Sequence, residues 1–178
     1  MMKSIIDQLS TYKSVHLNKK NVRTHFFGVP LIVMSVMVLI NMLNITWRSD
    51  SNEITLPLMP IIALFVVIYY LLLDVKIGLI ATLLFAPVYW AALNISGLPN
   101  AGWLALGIFV VGWIIQFVGH HYEKAKPAFV DDLNQLLIGP LFLVAEVVFA
   151  LGMNKEMDKE VTDIARDKRR AFEKAKQA

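Results

Sequence analysis

The sequence predicts an all-α integral membrane protein, and two observations carry this prediction. Hydrophobic residues make up 57% of the 178 residues, well above the roughly 45–50% typical of a soluble domain. The 17 lysines and arginines collect at the two ends, with five in residues 1–25 and eight from Lys155 onward. The middle of the chain is therefore apolar over long stretches, and a soluble fold of this size could not bury so much apolar surface.

Several apolar stretches are long enough to cross a bilayer as helices. A hydrocarbon core about 30 Å thick needs roughly 17–25 helical residues. Four stretches meet this length: residues 26–46, 56–73, 77–95 and 101–118. Trp47, Trp90 and Trp103 fall near the ends of these stretches, where interfacial aromatic residues concentrate. We therefore predict four transmembrane helices.

A fifth apolar segment, residues 133–153, contains Gly139, Pro140 and the acidic Glu146, whose charge is costly in lipid. Basic segments favour the cytoplasmic side, so an even number of crossings is needed to put both basic ends there. Four spans meet this condition and five do not. We therefore predict a re-entrant or interfacial helical segment with Glu146 facing protein or water. The alternative is a true fifth span with an outward tail.

The C-terminal segment, residues 155–177, alternates charges with apolar residues that lie close to one stripe of a helix. The stripe consists of Met157, Val161, Ile164, Ala165 and Phe172. This pattern predicts an amphipathic helix lying on lipid headgroups. We expect a single membrane-embedded domain over residues 1–153 and a helical tail over 154–178, with both termini cytoplasmic. The host membrane would be a bacterial inner membrane or, in a eukaryote, the endoplasmic reticulum.

Composition also excludes several classes of function. The isoelectric point near 9.1 comes from basic ends that flank an apolar middle, which suits anionic headgroups and gives no support for nucleic-acid binding. Cysteine is absent, which excludes disulfides, thiolate metal sites and a cysteine nucleophile. The sequence has neither a glycine-rich phosphate loop nor the serine pattern of a nucleophile elbow.

All four histidines lie outside the predicted spans: His16, His25, His120 and His121. With the N-terminus in the cytoplasm, the start of the first span and the end of the fourth meet the same interface. His16 and His25 are nine residues apart, about half a turn out of phase on one continuous helix. A bend near residues 18–21 is therefore needed to aim both imidazoles at one ion.

Two further polar residues share helical faces with histidines. His120 and Glu123 are i,i+3 neighbours, and Asn21 and His25 are i,i+4 neighbours. Neutral imidazoles with a carboxylate suit iron, manganese or zinc, and two histidines with one carboxylate are typical of non-haem Fe(II) oxygen chemistry. The spacing alone leaves two alternatives open. One is a non-enzymatic lipid-binding or scaffolding membrane protein, and the other is a zinc-dependent membrane hydrolase.

Three motifs make the sequence similar to a known membrane family. They are Tyr12, His16, Asn21 and His25-Phe-Phe-Gly28-Val-Pro30; then Gln116-Phe-Val-Gly119-His120 with Glu123 and Pro127-Ala128; then Asp132-Leu, Leu137-Ile-Gly139-Pro140 and Glu146. In this order around the apolar spans, they resemble the membrane 2-hydroxy fatty acid dioxygenases. That family includes a yeast endoplasmic-reticulum enzyme of fatty-acid α-oxidation and many bacterial relatives.

The resemblance implies an Fe(II)-dependent enzyme that converts a long-chain 2-hydroxy fatty acid and O₂ to CO₂ and the acid one carbon shorter. On this basis we expect His16, His25 and His120 to bind iron, with His121 as a fourth ligand or a group just outside the ligands. The acyl chain can remain in membrane lipid while the carboxylate and the 2-hydroxyl reach an iron at the interface.

The resemblance also suggests roles for residues around the iron. Asn21 and Glu123 are the expected catalytic residues. Lys19, Lys20 and Arg23 precede the first span and are the candidates for attracting the substrate carboxylate.

Overall fold

A computed structural model of the chain describes residues 3–49, 52–130 and 132–175. This part of the chain forms seven α-helices, one β-hairpin and a short 3-10 turn. In chain order they are α1 (Ile5–Ser14), α2 (Lys19–Asn41), β1 (Asn44–Ser49), β2 (Asn52–Pro57), α3 (Leu58–Leu73), α4 (Val75–Ser96), α5 (Ala101–Glu123), the 3-10 turn (Ala128–Val130), α6 (Gln135–Ala150) and α7 (Lys155–Ala175). Residues 176–178, at the end of the predicted tail, lie outside the described part.

Three helices of the described chain, α2, α4 and α5, are long and apolar enough to cross a membrane. The predicted span over residues 56–73 is shorter in the structure, because α3 has 16 residues and a length of about 24 Å. This is less than the hydrocarbon core of about 30 Å. Three of the four predicted spans therefore have the required length, and α3 is a shorter apolar helix.

The β-hairpin replaces the ends that the sequence had assigned to the first and second spans. Its strands pair antiparallel, with Thr46 hydrogen-bonded to Thr55 and Arg48 paired with Glu53 at 3.1 Å. Trp47 lies between the two polar residues of β1 and faces the other way. Because polar and apolar residues alternate here with a period of two, this segment follows the strand pattern and not the helical one.

Helix α6 is the central helix of the fold and packs against α1, α2 and α4. Most of its residues are buried, and Leu141 and Phe142 are almost completely so. Glu146 accepts a hydrogen bond from Lys13 Nζ of α1 at 2.7 Å, so its carboxylate faces protein, as predicted. The predicted packing of residues 133–153 against the spans is confirmed, and the re-entrant placement in the bilayer stays a prediction.

Helix α7 is present as predicted and packs against α1, whereas its predicted position on lipid headgroups stays a prediction. The predicted apolar stripe is present, and its residues Val161 and Ala165 are completely buried. Ion pairs support the contact, since Lys168 Nζ lies 2.6 Å from an Asp7 carboxylate oxygen. The two basic ends of the chain therefore lie side by side.

The opposite end of the bundle carries exposed tryptophans. Trp47, Trp90 and Trp103 are each 68–78% exposed and lie where α2 and α4 end and α5 begins. A small core cluster that includes Val38 and Ala105 holds these helix ends together. Exposed tryptophans at one level of an apolar bundle are typical of a membrane interface. The histidines at the start of α2 and the end of α5 thus lie at the other end.

Candidate metal centre

His16 lies in the bend between α1 and α2. Helix α1 ends at Ser14 and α2 begins at Lys19, with the Asn18 side chain accepting a hydrogen bond from the Lys20 backbone N–H at 2.9 Å. An asparagine in this position is a favourable helix N-cap. The bend predicted between His16 and His25 is therefore present, just before residues 18–21. It turns His16 back toward the first turns of α2.

Glycines bring α5 against α2 in the most extensive helix contact of the fold. A Cβ atom on Gly28 would lie 3.0 Å from the Gly112 carbonyl oxygen, and one on Gly119 would overlap Thr24 Oγ1 and Asn21 Oδ1. Small residues allow such close approach of helix backbones in membranes. His120, next to Gly119 on α5, is thereby placed beside the start of α2.

Three imidazoles meet at this position. His16, His25 and His120 are 1%, 2% and 8% exposed, and their ring centroids lie 4.4, 5.0 and 5.1 Å apart. His16 Nδ1 donates to the Tyr12 carbonyl at 2.6 Å, and His25 Nδ1 donates to the Asn21 carbonyl at 2.9 Å. Because a carbonyl can only accept, both Nδ1 atoms carry the proton and both Nε2 atoms present a lone pair.

The arrangement fits a metal ion. The Nε2 atoms of His16 and His25 are 2.9 Å apart, and two imidazole nitrogens bound at right angles to one ion at about 2.1 Å would be separated by about 3 Å. One nitrogen from each of the three histidines lies within 4.8 Å of the others. His120 Nδ1 is buried and forms no hydrogen bond of ordinary geometry with the described residues, although the Ala125 backbone lies beside its ring. Ring N–H groups bonded to carbonyls are also typical of metal-binding histidines.

His16 has the charge state that a metal ligand requires. Burial lowers the pKa of His16 well below its usual value of 6.5, and the neighbouring His25 imidazole lowers it further. His16 is therefore neutral at physiological pH. Tyr12 stacks on its ring with centroids 4.1 Å apart. Burial raises the pKa of Tyr12, so its hydroxyl remains protonated.

Glu123 holds the bend and does not join the imidazoles. Its carboxylate accepts hydrogen bonds from the backbone N–H groups of Leu17 (3.1 Å) and Asn18 (2.8 Å) and from Asn21 Nδ2 (3.2 Å). It also lies at the N-terminus of α2, where the helix dipole favours a negative charge. The carboxylate therefore ties the end of α5 to the segment that carries His16.

The structure places the other predicted site residues outside this cluster. His121 is exposed, beside Tyr122. Lys19, Lys20 and Arg23 are exposed at the start of α2, and Lys20 Nζ lies 5.3 Å from the centre of the Tyr122 ring. These three basic side chains are therefore not in position to bind a group beside the imidazoles.

A cavity of about 70 Å³ opens beside the three histidines, between α2, α5 and the first turns of α6. Besides the histidines, its polar lining side chains are Tyr12, Gln116 and Gln135. Its apolar walls include Ile32 of α2 and Trp113 of α5, both half-buried. None of the described lining residues is Lys, Arg, Asp or Glu, so the cavity is uncharged apart from any bound ion.

Comparison with known proteins identifies the family of this chain. The family described as "2-hydroxy-palmitic acid dioxygenase Mpo1-like" matches residues 2–151. The chain belongs to this family. It is 36% identical over 151 residues to 2-hydroxy-palmitic acid dioxygenase MPO1 of Saccharomyces cerevisiae, covering 82% of this chain and 80% of that relative. No solved structure matches the chain. The resemblance carried by the three motifs is confirmed.

Three polar residues of this Mpo1-like chain lie at the cavity or behind it, and no role had been predicted for them from the sequence. Gln116 is four residues before His120, so helical spacing could have placed it on the same face. Gln135 and Arg169 come from distant segments, and no local pattern connects them with the histidines. Arg169 belongs to α7, beyond the residues that the family matches.

Arg169 supports Glu123 from the side away from the histidines. Its Nη2 donates to the Glu123 carbonyl at 3.1 Å, and its Nη1 lies 3.8 Å from a carboxylate oxygen of the same residue. Its Nε donates to Glu173 at 2.6 Å. The Arg169 side chain is 15% exposed, so these contacts are largely shielded from water. Helix α7 thus contributes to the position of the bend that carries His16.

Replacing Arg169 with methionine should lower the free energy of unfolding by about 1–3 kcal/mol, because a largely buried acceptor and carboxylate lose their charged donor. Thermal unfolding in detergent measures this. Arg170→Met is the matched control, since the Arg170 side chain is 73% exposed and its ion pair with Asp167 at i,i+3 is also exposed. Equal unfolding temperatures for the two variants would show that the Arg169 contact adds nothing.

Proposed function

We propose that this protein is an Fe(II)-dependent dioxygenase that shortens long-chain 2-hydroxy fatty acids at a membrane interface. The reaction consumes the 2-hydroxy acid and O₂ and releases the acid one carbon shorter, CO₂ and water. The buried cluster of His16, His25 and His120 in an Mpo1-like chain is the observation that carries the proposal. Three neutral imidazoles suit Fe(II) and Zn(II) alike, and the dioxygenase description of the family favours iron.

In this proposal His16, His25 and His120 hold the metal, which supplies the redox chemistry for the reaction with O₂ when bound. The protein supplies geometry. The Tyr12 and Asn21 carbonyls orient two of the imidazole rings, and Asn21 and Glu123 act by positioning, through the bend that they hold together. Rings fixed in this way present their lone pairs to one point without reorganisation.

The small volume of the cavity supports an acyl substrate whose hydrocarbon chain stays in the lipid. Pockets that enclose an organic ligand of drug size usually have volumes of roughly 300–1,000 Å³, whereas this cavity has about 70 Å³. It therefore accommodates the polar head and not a long chain. The half-buried apolar walls at Ile32 and Trp113 and the exposed Leu136 beside them give the chain a path from the cavity into the bilayer.

The proposed membrane topology follows from the distribution of lysines and arginines along the chain. Residues 1–153 form the membrane-embedded catalytic domain and 154–178 the helical tail, with both termini in the cytoplasm. The membrane is a bacterial inner membrane or the endoplasmic reticulum. Lys19, Lys20 and Arg23 attract the substrate carboxylate to the cytoplasmic surface and do not bind it in the cavity. The partners are the 2-hydroxy acid, O₂ and membrane lipid, and no nucleic acid.

Metal analysis of the purified protein, combined with conversion of 2-hydroxyhexadecanoic acid to pentadecanoic acid under air with Fe(II), tests the proposal. We expect about one iron per chain and release of CO₂. His120→Ala should lower the metal affinity by at least about 100-fold, because ligand loss exceeds the 10–100-fold effect of losing an outer partner. His121→Ala should retain the metal, because His121 is exposed and outside the cluster.

Each other outcome points to a different function. Bound zinc without acid shortening would favour a zinc-dependent hydrolase, and absence of any bound metal would favour a lipid-binding or scaffolding protein. Loss of the metal in His121→Ala would restore His121 as a fourth ligand. Full iron occupancy and activity in His120→Ala would contradict the proposed centre.

A further inference from the structure

Two glutamines beside the histidines have unpaired oxygen atoms. Gln135 is 1% exposed and Gln116 is 4% exposed, and both line the cavity. The Oε1 atom of each is buried and has no hydrogen-bond partner among the described residues. Because buried polar atoms are nearly always paired in folded proteins, two such acceptors at one cavity indicate a ligand that donates hydrogen bonds.

The orientation of the Gln135 amide is fixed by its neighbours. Its Nε2 donates to Gln8 Oε1 at 3.0 Å, and Gln8 Nε2 donates in turn to the Tyr69 hydroxyl at 3.3 Å. Asn134 Nδ2 donates to the same hydroxyl at 3.1 Å. The Gln135 side chain also donates a hydrogen bond to the Asp132 carboxylate, so rotating its amide by half a turn would place its oxygen against a carboxylate. Its Oε1 therefore stays an acceptor.

The Gln116 amide is held against α2. A Cβ atom on Gly28 would lie 3.1 Å from Gln116 Cγ and Cδ, so the amide packs on the bare backbone of that glycine. Gln116 precedes His120 by four residues, which places it about 6 Å deeper along α5. Trp113 follows along the same cavity wall. A substrate that extends from the histidines toward the bilayer therefore passes Gln116 first.

We propose that Gln135 and Gln116 form a hydroxyl subsite, which accepts a hydrogen bond from the 2-hydroxyl of the acyl substrate and selects 2-hydroxy acids over 2-oxo acids. This inference rests on the proposed function for the identity of the substrate. A hydroxyl donates a hydrogen bond, whereas a 2-oxo group only accepts and would face the Gln135 oxygen without a proton between them. The absence of Lys and Arg from the described cavity lining agrees with a subsite that reads a neutral group.

Two ligands distinguish hydrogen bonding to this subsite from chelation of the metal. 2-Hydroxyhexadecanoic and 2-oxohexadecanoic acids each offer two oxygens to a metal, and only the first has a hydroxyl proton. We would measure the Kd of both by calorimetry with the full chain in lipid nanodiscs, loaded with Fe(II) and without O₂. The hydroxy acid should bind the wild type at least about tenfold more tightly, the effect of one net hydrogen bond.

Variants test which residues produce the preference. Gln135→Met should bring the ratio of the two Kd values close to one, and Gln116→Met should lower it. Gln8→Met leaves both lining side chains in place but releases the Gln135 amide, so it should also lower the ratio. Asn94→Leu, which removes an exposed amide at the far end of α4, is the control and should leave the ratio unchanged.

A wild-type ratio near one would overturn the hydroxyl subsite. So would an unchanged ratio in Gln135→Met and Gln8→Met at wild-type metal content and unfolding temperature. Because O₂ is absent, the result does not depend on turnover. If the protein prefers the hydroxy acid but does not shorten it in air, the subsite is retained and the proposed function is contradicted. If the protein shortens the acid but the ratio of the two Kd values is near one, the proposed function is retained and the subsite is contradicted.

Discussion

Replacing Glu123 with alanine is expected to lower the metal affinity of the histidine cluster by about 10–100-fold and the free energy of unfolding by about 3–5 kcal/mol, the usual result of leaving a buried charged partner unpaired. The carboxylate accepts from Leu17, Asn18 and Asn21 and faces Arg169. Without it, these donors lose their partner and the bend that carries His16 loses its attachment to α5. Metal content and thermal unfolding in detergent measure the two effects.

Two further variants test whether the effect depends on the shape, charge and burial of Glu123. Glu123→Gln keeps the shape and one acceptor oxygen, so its loss of stability should be smaller than that of Glu123→Ala. Glu160→Ala removes an exposed glutamate of α7 and should change neither stability nor metal content. Wild-type metal affinity in Glu123→Ala would show that His16 is positioned by other contacts.

Replacing Gly119 with alanine should separate α2 from α5 and destabilise the protein by about 1–3 kcal/mol or more. The added methyl group would overlap Thr24 Oγ1 and Asn21 Oδ1. The Asn21 carbonyl orients His25, and Gly119 adjoins His120, so even a small shift of the helices changes the distance between two imidazoles. We therefore expect weaker metal binding together with a lower unfolding temperature.

Gly107→Ala is the matched control for Gly119→Ala. Gly107 belongs to the same helix, is exposed, and has no atom within 4 Å of an added Cβ. Its replacement should be neutral or stabilise α5 by up to about 1 kcal/mol, since alanine favours helix more than glycine does. Equal effects at the two positions would contradict the role of close helix contact at Gly119.

Hydropathy identified the membrane helices well because spanning length and apolar composition are local properties of the chain. It identified α2, α4 and α5, and it predicted a longer helix at α3 than the 16 residues that the structure has. The two ends of the segment between α2 and α3 are apolar enough to have been included in the predicted spans, up to residue 46 and from residue 56, yet Thr46 and Thr55 pair across a hairpin. That pairing is set by the alternation of side chains in two segments together, which a count over one segment does not detect.

The candidate site was also predicted in part from local features of the sequence. The sequence predicted that the histidines meet at one membrane interface and that a bend separates His16 from His25. The structure has the bend and brings His16, His25 and His120 together. The resemblance ranked His120 before His121 as a ligand, but spacing alone did not exclude His121, because adjacent residues on a helix differ by about 100° in direction and the position of α2 decides which one is buried. Glu123 was recognised, but its partners are backbone N–H groups, which no sequence pattern marks.

Composition and spacing were enough to predict an apolar middle with helices long enough to cross a membrane, and histidines gathered at one end of them. Which side chains meet depends on how the helices pack. Gly28, Gly112 and Gly119 allow α5 to approach α2, and the buried side of α7 packs on α1. Gln135 arrives at the cavity from α6 with its amide already oriented. Such contacts join residues that are far apart in the chain, from 84 positions for Gly28 and Gly112 to 161 for Asp7 and Lys168, so their geometry exists only once the helices have packed.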